Sequence, residues 1–489
     1  MHSIRRAEQR SQPRSLPGSI ADLRAALLGR VIAPEDPDYE SARLVFNAAV
    51  DRRPALVIRP ADSADVSLVV SLARTDGVEL AVRGGGHSQA GHGTSDGGLV
   101  LDMSNLRGLH IDPARRVAWA QAGLTAGQYT AEAARHGLAT GFGDTGSVGI
   151  AGLTLGGGIG WLVRKHGLTI DDLLAAELVT ADGERLHVDS ERHPDLFWAL
   201  RGGGGNFGVV TRLQYRLHEV DTILGGVLVL PAAPGILRSF VAAADAAPDD
   251  LSTIAILAPA PPLPFVPSEH HGRQALIVRL LYAGDPACGD QALAPLRALA
   301  RPLADAITPM PYQQMYAADG SPGRVRMATR SMFLDDLDEH GEKAIFDRMQ
   351  AQPSPMSAPQ IRVLGGAMAR VPNAATAFGH RDRRIMLTFG AAYQDPGQAA
   401  IHEAWVTDSL VAMRPAAHGV HVSFIGNEGP ARVHEAYPED TYDRLAAIKR
   451  RYDPTNLFRV NQNIVPDGDV AAHPRASELR RGLPGAGSD

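Results

Sequence analysis

The sequence predicts an α+β fold, and three observations carry that reading. Strand and helix signals are interleaved, yet without the regular ~30-residue strand–helix–strand period of a nucleotide-binding parallel sheet. Asp182-Gly183 stands between two apolar runs, the signal of an antiparallel hairpin. The chain's 489 residues, 44% hydrophobic and 21% charged, can bury a core large enough for roughly two to four domains or subdomains.

Taken in order, the chain opens with a basic, polar stretch, and about the first fifteen residues are expected to be disordered. Asp22 and Arg24 break the segment that follows, so it lacks the apolar core of a secretory or twin-arginine signal. Residues 63–83 read as a Ser-capped helix followed by a strand. Val66, Val69, Val70 and Ala73 recur at helical spacing, Gly77 ends the run, and Leu80-Ala81-Val82 is extended. Leu99–Met103 and Val117–Gln121 are strands, and Thr125 caps a helix ending at Gly137. Ala176–Thr180 and Arg185–Val188 form the hairpin arms. A second domain begins near residue 219, with a loop at Pro259, Pro261, Pro262, Pro264 and Pro267. After Gly390 a helical stretch precedes His421-Val422-Ser423-Phe424-Ile425, which reads as an alternating strand. A helix with Tyr442, Leu445, Lys449 and Tyr452 on one side then stops at Asp453-Pro454, and the tail after Pro466 reads as flexible.

Charge and cysteine usage exclude several functions. With 48 Lys plus Arg against 54 Asp plus Glu, the net charge of -6 gives no basic footprint for nucleic acid. The one cysteine, Cys288, rules out an intrachain disulfide framework and any Cys-based metal site, and it reads as a core residue. A cytoplasmic location is expected, and no window approaches the ~18 apolar residues of a membrane span. No metal site is expected.

Glycine concentrates in three segments, Arg83–His92, Gly141–Gly160 and Arg201–Gly208. Such loops let backbone N–H groups converge on an anion and suit a pyrophosphate. GxxxxGK[ST] is absent, and Gly156-Gly157-Gly158-Ile159-Gly160 lacks the dinucleotide spacing, so the nucleotide is held by another fold.

The runs RGGGHSQAGHGTSDGGLVLDMSNL (83–106), GSVGIAGLTLGGGIGWLVRKHGLTIDDLL (146–174), LFWALRGGGGNFGVVT (196–211) and YDRLAAIKRRYDPTNLFRVNQNI (442–464) resemble the berberine-bridge-enzyme-like branch of the vanillyl-alcohol-oxidase flavoproteins, with their PCMH-type FAD-binding domain. The resemblance implies a bipartite FAD domain, residues 30–218 and 425–475. It encloses a substrate domain, 219–424, built on an antiparallel sheet backed by helices, with residues 1–29 an extension and 476–489 a tail. Arg83, Gly84, Gly85, Gly86 and Ser88 match the pyrophosphate loop, and His87 matches the residue tethered to the flavin 8α-methyl. His92 does not match that position. Thr145 occupies the place of a cysteine that forms a second bond elsewhere in the family, so one bond, through His87, is implied. Ser147, Val148, Gly149 and Gly152 belong to the same cofactor loop, where Leu153 replaces the family's histidine, as in a bacterial mono-covalent subgroup. Gly156, Gly157 and Gly158 match the stretch against diphosphate and ribose, Gly208 and Val209 the adenine contact, and Asn461 and Asn463 the pair at the polar edge of the isoalloxazine.

The implied activity is hydride transfer from a C–O or C–N bond of an alkaloid, sugar or other secondary metabolite to flavin N5. Oxygen would be reduced to hydrogen peroxide, with Val148 small enough to leave it a path. A ring-closing or desaturating tailoring enzyme, or a dehydrogenase with another acceptor, is the alternative. The partners are therefore a small-molecule substrate and O2, with no nucleic acid and no membrane. The family's Tyr-x-Asn strand reads His421-Val422-Ser423 here, which places His421 and Ser423 on one face. His421 is the candidate base, titrating between about pH 5 and 8, with Tyr393 and Tyr312 as further candidates.

Overall fold

A computed structural model describes residues 19–220, 222–317 and 324–466, and the expected disorder of both termini lies outside them. The first sheet has four strands in the order Arg30–Ile32, Leu56–Arg59, Leu99–Asp102, Leu80–Arg83, the last three mutually parallel. Parallel neighbours need a crossover, and the helix Ser63–Asp76 supplies it. Its cap is Asp62, whose carboxylate accepts from the N–H groups of Ala64 and Asp65, one residue ahead of the expected serine. Asp is as good an N-cap as Ser, and the preceding residue carries the extended backbone a cap requires. Gly77 closes the helix in the left-handed region, at φ 65°.

A five-stranded antiparallel sheet follows, Leu109–Asp112, Val117–Gln121, Val209–Arg216, Leu173–Val179, Arg185–Asp189 in spatial order. The Asp182-Gly183 hairpin joins its last two strands as read from the sequence. Thr125 caps Ala126–Ala134 in a reciprocal capping box with Gln128.

The third sheet is longer and wholly antiparallel. Its order is Ala304–Asp305, Thr222–Pro231, Gln274–Tyr282, Leu251–Pro259, Ser357–Val363, Ile385–Tyr393, Arg326–Leu334, with Thr308–Pro311 also on Thr222–Pro231. Strand alternation gives it two unlike faces. Leu228, Leu276, Ile361, Leu387 and Phe389 form a core with the helices Ile236–Asp245, Gly289–Arg297, Glu339–Gln350 and Ala399–Met413. On the opposite face Ile254 and Leu281 join the core of the N-terminal sheets, and Phe333 and Met386 pack on Ile159 and Val163. The arrangement is α+β.

The helix Glu439–Tyr452 returns to the N-terminal part, burying Leu445 and Ile448 in its core. Two expectations are corrected here. Val422–Phe424 is a turn of 3-10 helix, not a strand, because His421 acts as its N-cap by accepting from Ser423 N–H. Cys288 is exposed, not buried, since it sits at the N-cap of Gly289–Arg297 on the outer side of the long sheet. Among the described residues no helix is long and apolar enough to cross a membrane, and no cluster of three metal-ligating side chains occurs.

Candidate active site

Two glycine loops meet backbone to backbone. A Cβ at Gly85 would stand 2.2 Å from Gly149 N, and one at Gly149 would stand 2.2 Å from Gly85 N. Only glycine at both places allows this approach. His87 is hydrogen-bonded to the backbone of Ser147 beside that contact, and its ring stacks on Phe46 with centroids 4.4 Å apart. Burial lowers its pKa to about 4, against a backbone hydrogen bond to Ser147 that raises it, so the imidazole is neutral. Ser88 accepts from His92 N–H at 3.3 Å and shapes the loop behind it. Arg83 spends its guanidinium inside the protein, on Asp102 (3.0 Å) and the carbonyls of Ala42 (2.5 Å) and Leu44 (3.3 Å), so it anchors the loop and leaves only its backbone for an anion.

The second loop continues through Asp144, Thr145, Ser147 and Val148. Thr145 Oγ1 donates to Asp144 at 2.9 Å, Ser147 is exposed and Val148 half-buried. Gly152 is exposed, with open space where a side chain would be. Gly156 and Gly157 face the 421–424 turn, since a Cβ on Gly156 would lie 2.0 Å from Ser423 Oγ and one on Gly157 3.5 Å from His421 Nε2. Gly158 packs on Thr169, and Gly208 lies against Leu178 and Val179 with Val209 buried beside it. The fold thus brings His421 and Ser423 to the glycine loops.

His421 is buried among Phe333, Phe378 and Phe424, and its Nδ1 accepts from Ser423 N–H at 3.1 Å. In a neutral imidazole whose Nδ1 is an acceptor, Nε2 carries the proton. Burial, with Arg362 and His380 adding to it, lowers the pKa to about 3. The ring therefore presents Nε2 as a donor, and its lowered pKa corrects the expected titration between about pH 5 and 8.

Tyr393 is corrected too. It shares a strand face with Leu387 and Phe389 and stacks on His402 of the helix behind the sheet, ring centroids 4.6 Å apart. Tyr312 is fully engaged, its hydroxyl 2.8 Å from that of Tyr316, which donates to Phe142 carbonyl.

Residues the sequence reading passed over hold the parts together. Asn47 bonds both Gln89 carbonyl (3.4 Å) and the backbone of Met327 (3.1 Å), tying the His87 loop to the long sheet. Arg362 pairs with Asp144 across the same junction. Asn206 accepts from Ile464 N–H at 3.0 Å and donates to Gln462 carbonyl at 3.2 Å, while fully buried Lys449 reaches Asp453, Asn206 carbonyl and Phe458 carbonyl, each at 2.8 Å. Asn206 stands inside the third glycine segment, which was the one signal available.

Around the two loops and the C-terminal segment, Gln89 Oε1, His421 Nε2, Asn461 Oδ1 and Asn463 Oδ1 are buried without a protein partner. Buried polar groups are normally satisfied, so this concentration beside a backbone cradle fits a large ligand with donors and acceptors along its edge, as a flavin nucleotide has.

The FAD binding domain family matches residues 54–189, and the berberine and berberine-like family matches residues 423–465. (R)-6-hydroxynicotine oxidase of Paenarthrobacter nicotinovorans is 30% identical over 462 residues, covering 91% of this chain and 98% of that protein. The FAD-linked oxidoreductase aurO of Gibberella zeae is 26% identical, covering 89% of this chain and 86% of that one. Among solved structures, 6-hydroxy-D-nicotine oxidase from Arthrobacter nicotinovorans superposes with a TM-score of 0.81 at 28% identity, over 90% of this chain and 98% of its own.

Proposed function

The chain belongs to the berberine-like FAD-linked oxidoreductases and oxidises a small organic substrate with FAD, and from that premise we propose that it is an oxidase carrying one covalent bond, from His87 to the flavin. Bound FAD supplies a two-electron acceptor. The observation that carries the reading is the neutral His87 ring hydrogen-bonded to the Ser147 backbone, beside the Gly85–Gly149 contact. A neutral ring nitrogen is the nucleophile such a bond requires. Thr145, with its hydroxyl on Asp144, offers no thiolate for a second bond.

The N-terminal part and the segment after residue 425 would bind the cofactor, with residues 219–424 presenting the substrate. Gly84, Gly86, Ser88 and the Gly156–Gly158 stretch would take the nucleotide backbone. Asn461 and Asn463, whose Oδ1 atoms lack partners, would accept from the polar edge of the ring system. Val148 stands half-buried in the second loop and would leave oxygen a path to the flavin.

Acid precipitation of the purified protein should leave yellow colour in the pellet, and peptide mass spectrometry should find a single FAD adduct on the peptide containing His87. Flavin released wholly to the supernatant, or an adduct on another residue, would refute the assignment.

A further inference from the structure

Across the middle strands of the long sheet, register places Gln360 opposite Thr388 and Thr388 opposite Ser331, with Thr329 two residues before Ser331. Directly opposed residues in an antiparallel pair share a face, as do residues two apart on one strand. Arg362 lies on that face, and so does Phe333, which packs against Ile159 and Val163, so the row looks toward the glycine loops.

Two members of the row are anomalous. Thr329 is 8% and Thr388 7% exposed, yet neither Oγ1 has a hydrogen-bond partner. Ser331 shows the satisfied alternative, donating to Phe424 carbonyl at 3.2 Å. An unmade hydrogen bond at a buried hydroxyl is a standing cost that valine, the same shape, would not carry. Two such hydroxyls on one face, looking toward the cofactor loops, point to a ligand that completes them.

Ion pairs flank the row on both sides. Asp144 is paired with Arg362, and Gln360 Oε1 accepts from the same guanidinium at 2.5 Å. Burial pushes the Asp144 carboxyl up, but Arg362 and Arg279 hold it below the ordinary carboxylate range. Arg279 adds a second cation over the Trp161 ring, 5.2 Å from its centroid, with no carboxylate within pairing distance among the described residues. On the other side of the row the Glu428 carboxylate stands beside Thr329, paired with Arg330 and Arg432, so carboxylates and guanidiniums alternate around the row and the orphaned hydroxyls carry the recognition.

We propose that Thr329 and Thr388 are specificity-determining residues that hydrogen-bond a hydroxyl-bearing substrate. This rests on the FAD-oxidase reading above and narrows its substrate class.

The test uses the yellow holoenzyme and the variants Thr329→Val and Thr388→Val. The melting temperature of each variant should hold or rise with flavin content unchanged, because an unsatisfied hydroxyl is removed. A fall in melting temperature would assign the hydroxyls to the fold and overturn the proposal. Anaerobic flavin bleaching is then followed with glucose, cellobiose, glycerol and benzyl alcohol, and with benzylamine and N-methylbenzylamine as probes without a hydroxyl. Bleaching should come from hydroxylated probes, with affinity reduced about tenfold or more in the variants and the limiting rate changed less. Bleaching by the amines alone, or equal affinity in the variants, overturns it. A colourless wild-type protein would instead sink the FAD reading itself, an outcome distinct from a yellow enzyme indifferent to both substitutions.

Discussion

Replacing His421 by Asn keeps an acceptor for Ser423 N–H and removes the titrating ring. In the folded protein the ring protonates only near pH 3, whereas in the unfolded chain it does so near 6.5. As pH falls the unfolded chain binds the proton first, so the ring's contribution to stability is complete above about pH 6.5. It declines toward pH 3 by about 1.4 kcal/mol per unit. The urea midpoint of His421→Asn should therefore shift less than that of the wild type between pH 7 and pH 5, and equal shifts would disprove the buried neutral ring. Val148→Ile tests the oxygen path: reoxidation of reduced enzyme should slow about tenfold or more while reduction by substrate changes little. Unchanged reoxidation in stopped flow would remove Val148 from that role. The candidacy of His87 rests on the resemblance of its Gly84-Gly85-Gly86-His87 loop to the family's, because a histidine after glycines would by itself read as a hydrogen-bonded turn residue. The chemistry of His421 was not legible, since a histidine two residues before a serine suits an alternating strand and a capped turn equally, and only the hydrogen bond to Ser423 N–H distinguishes them.

At the scale of elements, the meeting of the two glycine loops carries the sharpest prediction. Gly85→Ala would drive a methyl group into the backbone of Gly149, 2.2 Å away, and neither backbone has a flexible end to yield. The loops must separate, and FAD content after purification should fall by about tenfold or more, read from the ratio of visible to ultraviolet absorbance. Helices and hairpins were readable from local chemistry, as the Thr125 box and the Asp182-Gly183 turn attest. Tyr393 was not, because either face of a strand can carry a tyrosine and only the helix bearing His402 decides which side is buried.

For the whole molecule, chain order and spatial order differ. The core that holds Val66 and Leu101 also holds Leu445, Phe458 and Ile464, so the last described residues complete a unit begun by the first. Buried Lys449 and Asp453 lock that return, and a buried pair that loses one partner costs about 3–5 kcal/mol. A chain stopped after Gly426 should fail to retain FAD and should expose enough apolar surface to be recovered as aggregate. A soluble, yellow truncated protein would show that the N-terminal part stands alone. The sequence suggested this return through the motif near residue 460, but the bonds that secure it, from Lys449 and Asn206, depend on neighbours distant in the chain. The outward placement of Cys288 gives the molecule a natural handle. As the protein's single thiol, exposed on the outer side of the long sheet, it can take one maleimide dye without mutagenesis. With the isoalloxazine as the second chromophore, energy transfer between the two would report, in one unmodified sequence, whether the sheet moves relative to the cofactor during turnover.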